Sequence, residues 1–210
     1  MSILSDTEII SLINSKGFNI EPCILNNIQP SSIDLTLGNT IEVLAEHGEL
    51  DLKNPKDPQA LDQLVTQIDI SDSGYTLKPR QIVLGYSAEL LTFTTGINGR
   101  ICNRNSLARW GFDASLGHYI NPGFKGRMPL VLRNVGPLSL TIHPGMKICQ
   151  LEIHSLDAPS HRNYENRHQV KDLTDAVPTS WEKQFKQDVS GMDSSLSEYL
   201  HSLIVAHGVN

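Results

Sequence analysis

The chain has 210 residues, enough for one domain with its own apolar core, and its 39% hydrophobic and 19% charged residues suit a soluble globular protein. Its net charge of −6 argues against tight binding to duplex phosphates, which takes a basic face. No run of 18 apolar residues offers a membrane span, residues 1–10 lack the pattern of a secretion signal, and Cys23, Cys102 and Cys149 are too scattered for a disulfide framework or a thiolate zinc site, so the cytoplasm is the default location.

In chain order, the first predicted element is a helix. Ser5 and Glu8 form a capping box, Ile9, Ile10, Leu12 and Ile13 supply an apolar side, and Lys16-Gly17 reads as the stop. From residue 28 to 154 the pattern is β. Ile33, Leu35 and Leu37 alternate with Asp34 and Thr36, and short runs follow at 41–44, 66–70, 82–86, 97–102, 128–132, 138–142 and 148–153, with Gly, Pro and Asn between them. Many short strands separated by turns predict an all-β sandwich or barrel with minor helices. Residues 46–64 read as an inserted polar loop, and residues 155–180 as an arm. Residues 192–206 read as an amphipathic helix, with Ser195 and Glu198 as a second capping box and Leu196, Tyr199, Leu200, Leu203 and Ile204 on one stripe. The expected division is a β domain over 1–160, followed by the arm and helix over 161–210.

Three segments then carry a resemblance. Gln29-Pro30-Ser31-Ser32-Ile33-Asp34-Leu35-Thr36-Leu37-Gly38 resembles the motif Q-P-S-S-x-D-L-R-L-G, with Thr36 in place of Arg. Arg104-Asn105-Ser106-Leu107-Ala108-Arg109-Trp110-Gly111 resembles R-S-S-L-A-R-x-G. Asn121-Pro122-Gly123-Phe124-Lys125-Gly126, then Asn134-Val135-Gly136, then Pro144-Gly145-Met146-Lys147-Ile148-Cys149-Gln150-Leu151 resemble D-P-G-W-x-G, N-x-G and P-G-M-K-I-x-Q-L. In this order and spacing they resemble the dCTP deaminase branch of the dUTPase superfamily, over residues 4 to 170. The resemblance implies a trimer of dUTPase-like distorted β-barrels, active sites shared between subunits, and a Mg²⁺ held through the triphosphate and water. The histidine and cysteine signature of zinc deaminases is absent from the sequence.

By themselves Arg104 and Arg109 read as surface arginines in solvated ion pairs. With the resemblance they hold the triphosphate of a deoxyribonucleoside triphosphate, assisted by Ser106. His118 and Tyr119 fall in the hairpin expected to read the pyrimidine edge, and Tyr119 reads equally as a plain barrel residue. Tyr164 and Gln169 lie in the arm expected to fold over the phosphates. Asp34 reads as a supporting residue, and Lys147, Cys149 and Gln150 as packing and turn residues of the last barrel strand.

Besides Thr36, three positions depart from the pattern where it carries the chemistry. Asn105 stands for a Ser at the phosphates and keeps a donor and an acceptor. Asn121 stands for an Asp; it can still bond a sugar hydroxyl but is no useful base. Val131 aligns with the deaminases' catalytic Glu, and a valine transfers no proton; by residue type alone it reads as a core strand residue. His118, Asp113 and Arg133 are the neighbours that stand in for a missing acid–base group, each more often a turn or ion-pair residue. Three functions follow: a dCTP deaminase-like hydrolase whose activity is weak or lost, a dUTP diphosphatase-like hydrolase, and a non-catalytic nucleotide sensor or interaction protein whose partner meets the C-terminal helix.

Overall fold

The computed structural model describes residues 2–48, 64–116 and 119–161. Most of the expected inserted loop, His118, Tyr164, Gln169 and the whole 192–206 helix lie outside the described residues.

Helix α1 (Asp6–Asn14) starts as its sequence dictates. The Ser5 hydroxyl accepts from the Glu8 amide (3.4 Å), and the Glu8 carboxylate accepts from the Ser5 amide (2.8 Å). Ile9 is fully buried, and Leu12 and Ile13 pack against the core. The stop falls at Lys16-Gly17, as expected. Lys16 takes the left-handed conformation (φ 60°), while Gly17 passes close over Leu12, where a Cβ would meet Cδ1 at 2.5 Å.

The strands are β1 (Ser2–Ile3), β2 (Phe18–Glu21), β3 (Ile28–Gln29), β4 (Ser32–Leu44), β5 (Val65–Asp69), β6 (Tyr75–Leu77), β7 (Ile82–Phe93), β8 (Ile97–Asn103), β9 (Phe112–Asp113), β10 (Tyr119–Ile120), β11 (Lys125–Asn134), β12 (Leu140–Ile142) and β13 (Lys147–Ser155), with a four-residue helix, α2 (Asn105–Ala108), between β8 and β9. Among the described residues eleven strands form one sheet, whose main path runs β10-β8-β13-β4-β7-β11-β9. Strand β1 joins β13, β2 joins β7, β3 and β5 join β4, and β6 pairs separately with β12.

Strand β4 sets the curvature. The sequence suggests two runs divided at Gly38-Asn39, yet the backbone continues as one strand of 13 residues. Its first part pairs with β13 (Asp34 opposite Gln150) and its second with β7 (Ile41 opposite Gly85), with a register slip between Leu37 and Ile41. Such an irregularity adds local twist, so a single strand serves both halves and the sheet curls into a half-barrel. Leu35, Leu37 and Ile41 on β4, Val83 and Leu91 on β7, Leu130 and Leu132 on β11, and Leu151 and Ile153 on β13 are all fully buried inside the curl. Phe18, Phe93 and Phe124 stack edge to face at its end (centroids 5.0 and 6.5 Å apart), which fixes β2 and the start of β11 on β7.

Alternation along β11 corrects one expectation. Met128, Leu130 and Leu132 are buried, whereas Arg127, Val131 and Arg133 are only half-buried. Val131 is therefore not a core residue. Flanked by two core leucines in a period-two strand, it stands on the sheet's other face.

Candidate functional site

The segment 104–111 is built by its neighbours. Strand β8 ends at Asn103, and Arg104 opens α2, its carbonyl accepting from the Leu107 and Ala108 amides (3.0 and 2.9 Å). The segment ends at Gly111 (φ +85°), which lies flat against Gly136; a Cβ on Gly111 would meet the Gly136 nitrogen at 2.4 Å. Gly136 is held there by the fully buried Asn134. The Asn134 amide group donates to the Leu77 and Leu138 carbonyls (3.0 and 2.7 Å), and its Oδ1 accepts from the Gly136 amide (3.0 Å). The motifs R-x-x-x-x-R-x-G and N-x-G thus form one device, in which the second fixes the turn that sets the first. Gly111→Ala is expected to cost about 1–3 kcal/mol through the positive φ and the backbone clash. An unfolding midpoint equal to wild type in urea would contradict this.

Arg104 sits over a buried carboxylate. Its Nε lies 3.4 Å from Asp34 Oδ1, and its Nη1 donates to the Lys147 carbonyl (3.3 Å). Asp34 is 2% exposed. It also takes Lys147 Nζ on Oδ2 (3.2 Å) and accepts from Gln29 Nε2 (3.3 Å). Lys147 is therefore not a packing or turn residue, because its ammonium belongs to this ion cluster. Cys149 is fully buried, in keeping with packing, and Gln150 donates to the Ser32 hydroxyl (3.4 Å). Thr36 has its own reason to be present, since its amide and hydroxyl both donate to Glu89 (3.0 and 2.7 Å), a buried carboxyl that burial pushes above its ordinary range.

Asn105, Ser106 and Arg109 are exposed on and just after α2, with Arg109 at its C-terminal end. Arg104 and Arg109 thus bracket one helical turn. Tyr119 is exposed, and its hydroxyl accepts from Asn98 Nδ2 (2.6 Å). Asn121 is half-buried and begins the turn into β11, its carbonyl accepting from the Phe124 amide (3.2 Å). Because Tyr119 is paired with Arg100, it lies about 13 Å along β8 from Arg104 at ~3.3 Å per residue. The buried Asn98 carries no signal in its short β8 sequence; its role appears only from the pairing of β10 with β8.

The curl brings β11 back towards this segment. Asn103, next to Arg104, donates to Asp113 (3.0 Å) and accepts from the Ala114 amide (2.7 Å). Asp113 is ion-paired with Arg133, whose Nε donates at 2.9 Å, and Arg133 lies two residues from Val131 on the same face. Burial pushes the Asp113 carboxyl up, but bonds from the Ser115 amide, Arg133, Asn103 and the Ser115 hydroxyl outweigh it and hold the group well below the usual carboxylate range. Asp113 and Arg133 are thus paired with each other. A lowered folded pKa stabilises above the unfolded value and is lost as pH falls. Asp113→Asn is accordingly expected to cost about 1–3 kcal/mol near neutrality and progressively less below pH ~4. Urea denaturation showing the same difference at low and neutral pH would contradict it.

Around Val131, the residues beside it in register are Leu84 on β7 and then Glu42 on β4, which places Glu42 two strands away, about 10 Å between backbones. Glu42 is buried, accepts from the Tyr86 hydroxyl (3.2 Å), and is pushed up by burial. Among the described residues no cluster of three or more His, Cys, Asp or Glu side chains offers a metal cage, and Asp34 is already committed to Arg104 and Lys147.

A curled sheet, wholly antiparallel among the described residues, with a cationic turn mounted on a buried carboxylate, defines a half-barrel β protein. A family model described as dCTP deaminase-like matches residues 3–156. A dCTP deaminase, dUMP-forming, from Persephonella marina is 33% identical over 80% of this chain and 91% of its own length, and one from Corynebacterium jeikeium is 34% identical over 77% and 86%. The crystal structure of 2'-deoxycytidine 5'-triphosphate deaminase from Agrobacterium tumefaciens shares the fold, with a TM-score of 0.56 at 18% identity, over 72% of this chain and 46% of that one. The chain belongs to the dCTP deaminase-like family. No helix among the described residues is long and apolar enough to cross a membrane.

Proposed function

We propose that this chain binds a deoxyribonucleoside triphosphate as its Mg²⁺ complex, with dCTP the first candidate, and that its hydrolytic deamination of dCTP to dUTP and ammonia is weak or lost. The observation that carries the reading is Arg104, seated on buried Asp34 at the mouth of α2 in a chain of this family, with guanidinium donors to spare. Arg104 and Arg109 at the two ends of α2 grip the phosphates, with Asn105 and Ser106 between them. Tyr119 and Asn121 stand on the side of the sugar and base. The cation supplies charge neutralisation on the phosphate oxygens and needs no protein ligand beyond its waters. The relatives' designation as dUMP-forming raises a second step, release of the two outer phosphates as diphosphate.

The test is incubation with dCTP, dUTP and the other deoxyribonucleotides plus Mg²⁺, with ammonia, diphosphate and binding measured together. Tight dCTP binding with slow ammonia release is expected. No binding of any nucleotide would reject the reading. A dUTP diphosphatase would release diphosphate from dUTP without ammonia, and Asn121 argues against it, since an amide does not activate water. A non-catalytic nucleotide sensor is the reading favoured specifically by Val131, which offers no proton on a sheet face that is not core.

We further infer a homotrimer. Trp110 (63% exposed), Val135 (63%) and Leu138 (57%) place apolar surface on and beside the turns that hold Arg109, as expected where a neighbouring subunit completes the site. Sedimentation at micromolar concentration is expected to give three times the chain mass, and a monomer would contradict it.

A further inference from the structure

The geometry points to Lys147 as a third phosphate-binding cation, set beside Arg104 by their shared carboxylate, Asp34. This inference rests on the triphosphate reading above and adds a residue to it. On β13, Cys149, Leu151 and Ile153 face the core. Strict alternation would send Lys147 inward with them. Instead Ile148 and Cys149 are both fully buried, and the register against β4 slips between Lys147 and Cys149. A bulge of this kind re-aims one side chain. Here it turns the lysine out of the core, and Asp34, between core residues Ile33 and Leu35 on the neighbouring strand, meets it on the other face.

The result is two cations over one anion. Arg104 Nε lies 3.4 Å from Asp34 Oδ1, an ion pair without a hydrogen bond, Lys147 Nζ donates to Oδ2 (3.2 Å), and the carboxylate is 2% exposed, while the Arg104 and Lys147 side chains keep 27% and 35%. The cluster carries a net charge of +1 in a chain whose total is −6. Donors also remain. Of the five guanidinium N–H groups, Nε faces Asp34 and one Nη1 hydrogen goes to the Lys147 carbonyl; of the three ammonium hydrogens, two go to Asp34 and the Asn26 carbonyl (3.3 Å). Three guanidinium hydrogens and one ammonium hydrogen make no bond among the described residues. A purely structural ion pair needs one cation for one carboxylate. The second cation, with its spare donor beside the arginine, suits the extra charge that a triphosphate has over a monophosphate.

The experiment compares wild type, Lys147→Met, Lys147→Arg and Arg104→Ala by calorimetry, using the α,β-imido analogue of dCTP with Mg²⁺ and, separately, dCMP. Lys147→Met is expected to weaken the triphosphate analogue about tenfold, the loss of one charge-assisted hydrogen bond, and dCMP by less than about twofold. Lys147→Arg should restore most of the difference. A structural role would instead weaken both ligands alike. Because Arg104 still neutralises Asp34, the Met variant is expected to fold, but the wild type supplies an independent readout. The Mg²⁺ complex of the analogue should shield Lys147 from an amine-acylating reagent, followed by mass spectrometry, while dCMP should not. Unchanged affinity in Lys147→Met, equal loss for both ligands, or equal acylation with and without the analogue would overturn the assignment. If Arg104→Ala weakens the analogue and Lys147→Met does not, Lys147 alone is wrong. If wild type binds neither ligand, the triphosphate reading falls first.

Discussion

Arg104→Ala is expected to weaken binding of a Mg²⁺–deoxyribonucleoside triphosphate by about ten- to a hundredfold, since each hydrogen bond to a charged group contributes about 1.5–3 kcal/mol. Arg104 is pre-positioned. Asp34 and the Lys147 carbonyl hold the guanidinium before any ligand arrives, so little side-chain entropy remains to be lost on binding. Removing it leaves Asp34 paired with Lys147, which avoids a stranded buried charge and should keep the fold intact. Arg109→Ala is expected to act in the same direction with a smaller effect, because its side chain is exposed at the far end of α2. Calorimetry on both variants, with melting temperatures as the folding control, decides it. Unchanged affinity in both would remove the arginines from the site.

Much of this arrangement is written in the sequence, and the exceptions have physical causes. The capping box at Ser5 and Glu8 and the alternation of Ile33, Leu35 and Leu37 are local signals, and each predicted the element that forms. Gly38-Asn39 misled because a turn-forming pair inside a long strand can also mark a register slip, and only the strands on either side distinguish the two. Lys147 misled for a related reason. A bulge breaks the period of two, so its direction cannot be read by counting from Cys149. Asp34 was legible as a supporting residue, being a charge inside an apolar alternation, but its partners lie about 70 and 110 residues further along the chain and become visible only when β4, β8 and β13 are laid side by side. Val131 misled by composition, since a valine in a β run usually packs inward. Here its buried neighbours Leu130 and Leu132 take that direction.

The outward placement of Val131 sharpens the last expectation, which concerns chemistry. Binding a triphosphate needs cations, a shaped barrel and the metal carried on the phosphates, and the chain keeps the arginines and the fold. Deamination needs a group that exchanges protons with water, the ring nitrogen and the departing ammonia. Val131 cannot do so, Asn121 is no base, and Asp113 is held ionised by its clamp with Arg133. Losing a positioned acid–base group costs about 10²–10⁴-fold in rate. The wild type is therefore expected to bind dCTP and to turn it over far more slowly than about 1 s⁻¹, the low end for ordinary enzymes. Val131→Glu is expected to raise ammonia release sharply. The position is half-buried rather than sealed in the core, so a carboxylate placed there keeps access to water and escapes part of the desolvation cost of a buried charge. The competing outcome is equally definite. If the acid–base role has moved elsewhere in this chain, an added carboxylate on that face repels the phosphates and lowers both affinity and rate. Ammonia release by wild type and Val131→Glu, measured side by side with dCTP and Mg²⁺, separates the two. Wild-type turnover at or above about 1 s⁻¹, with the variant slower, would show that the proton is carried by a group at a position other than 131.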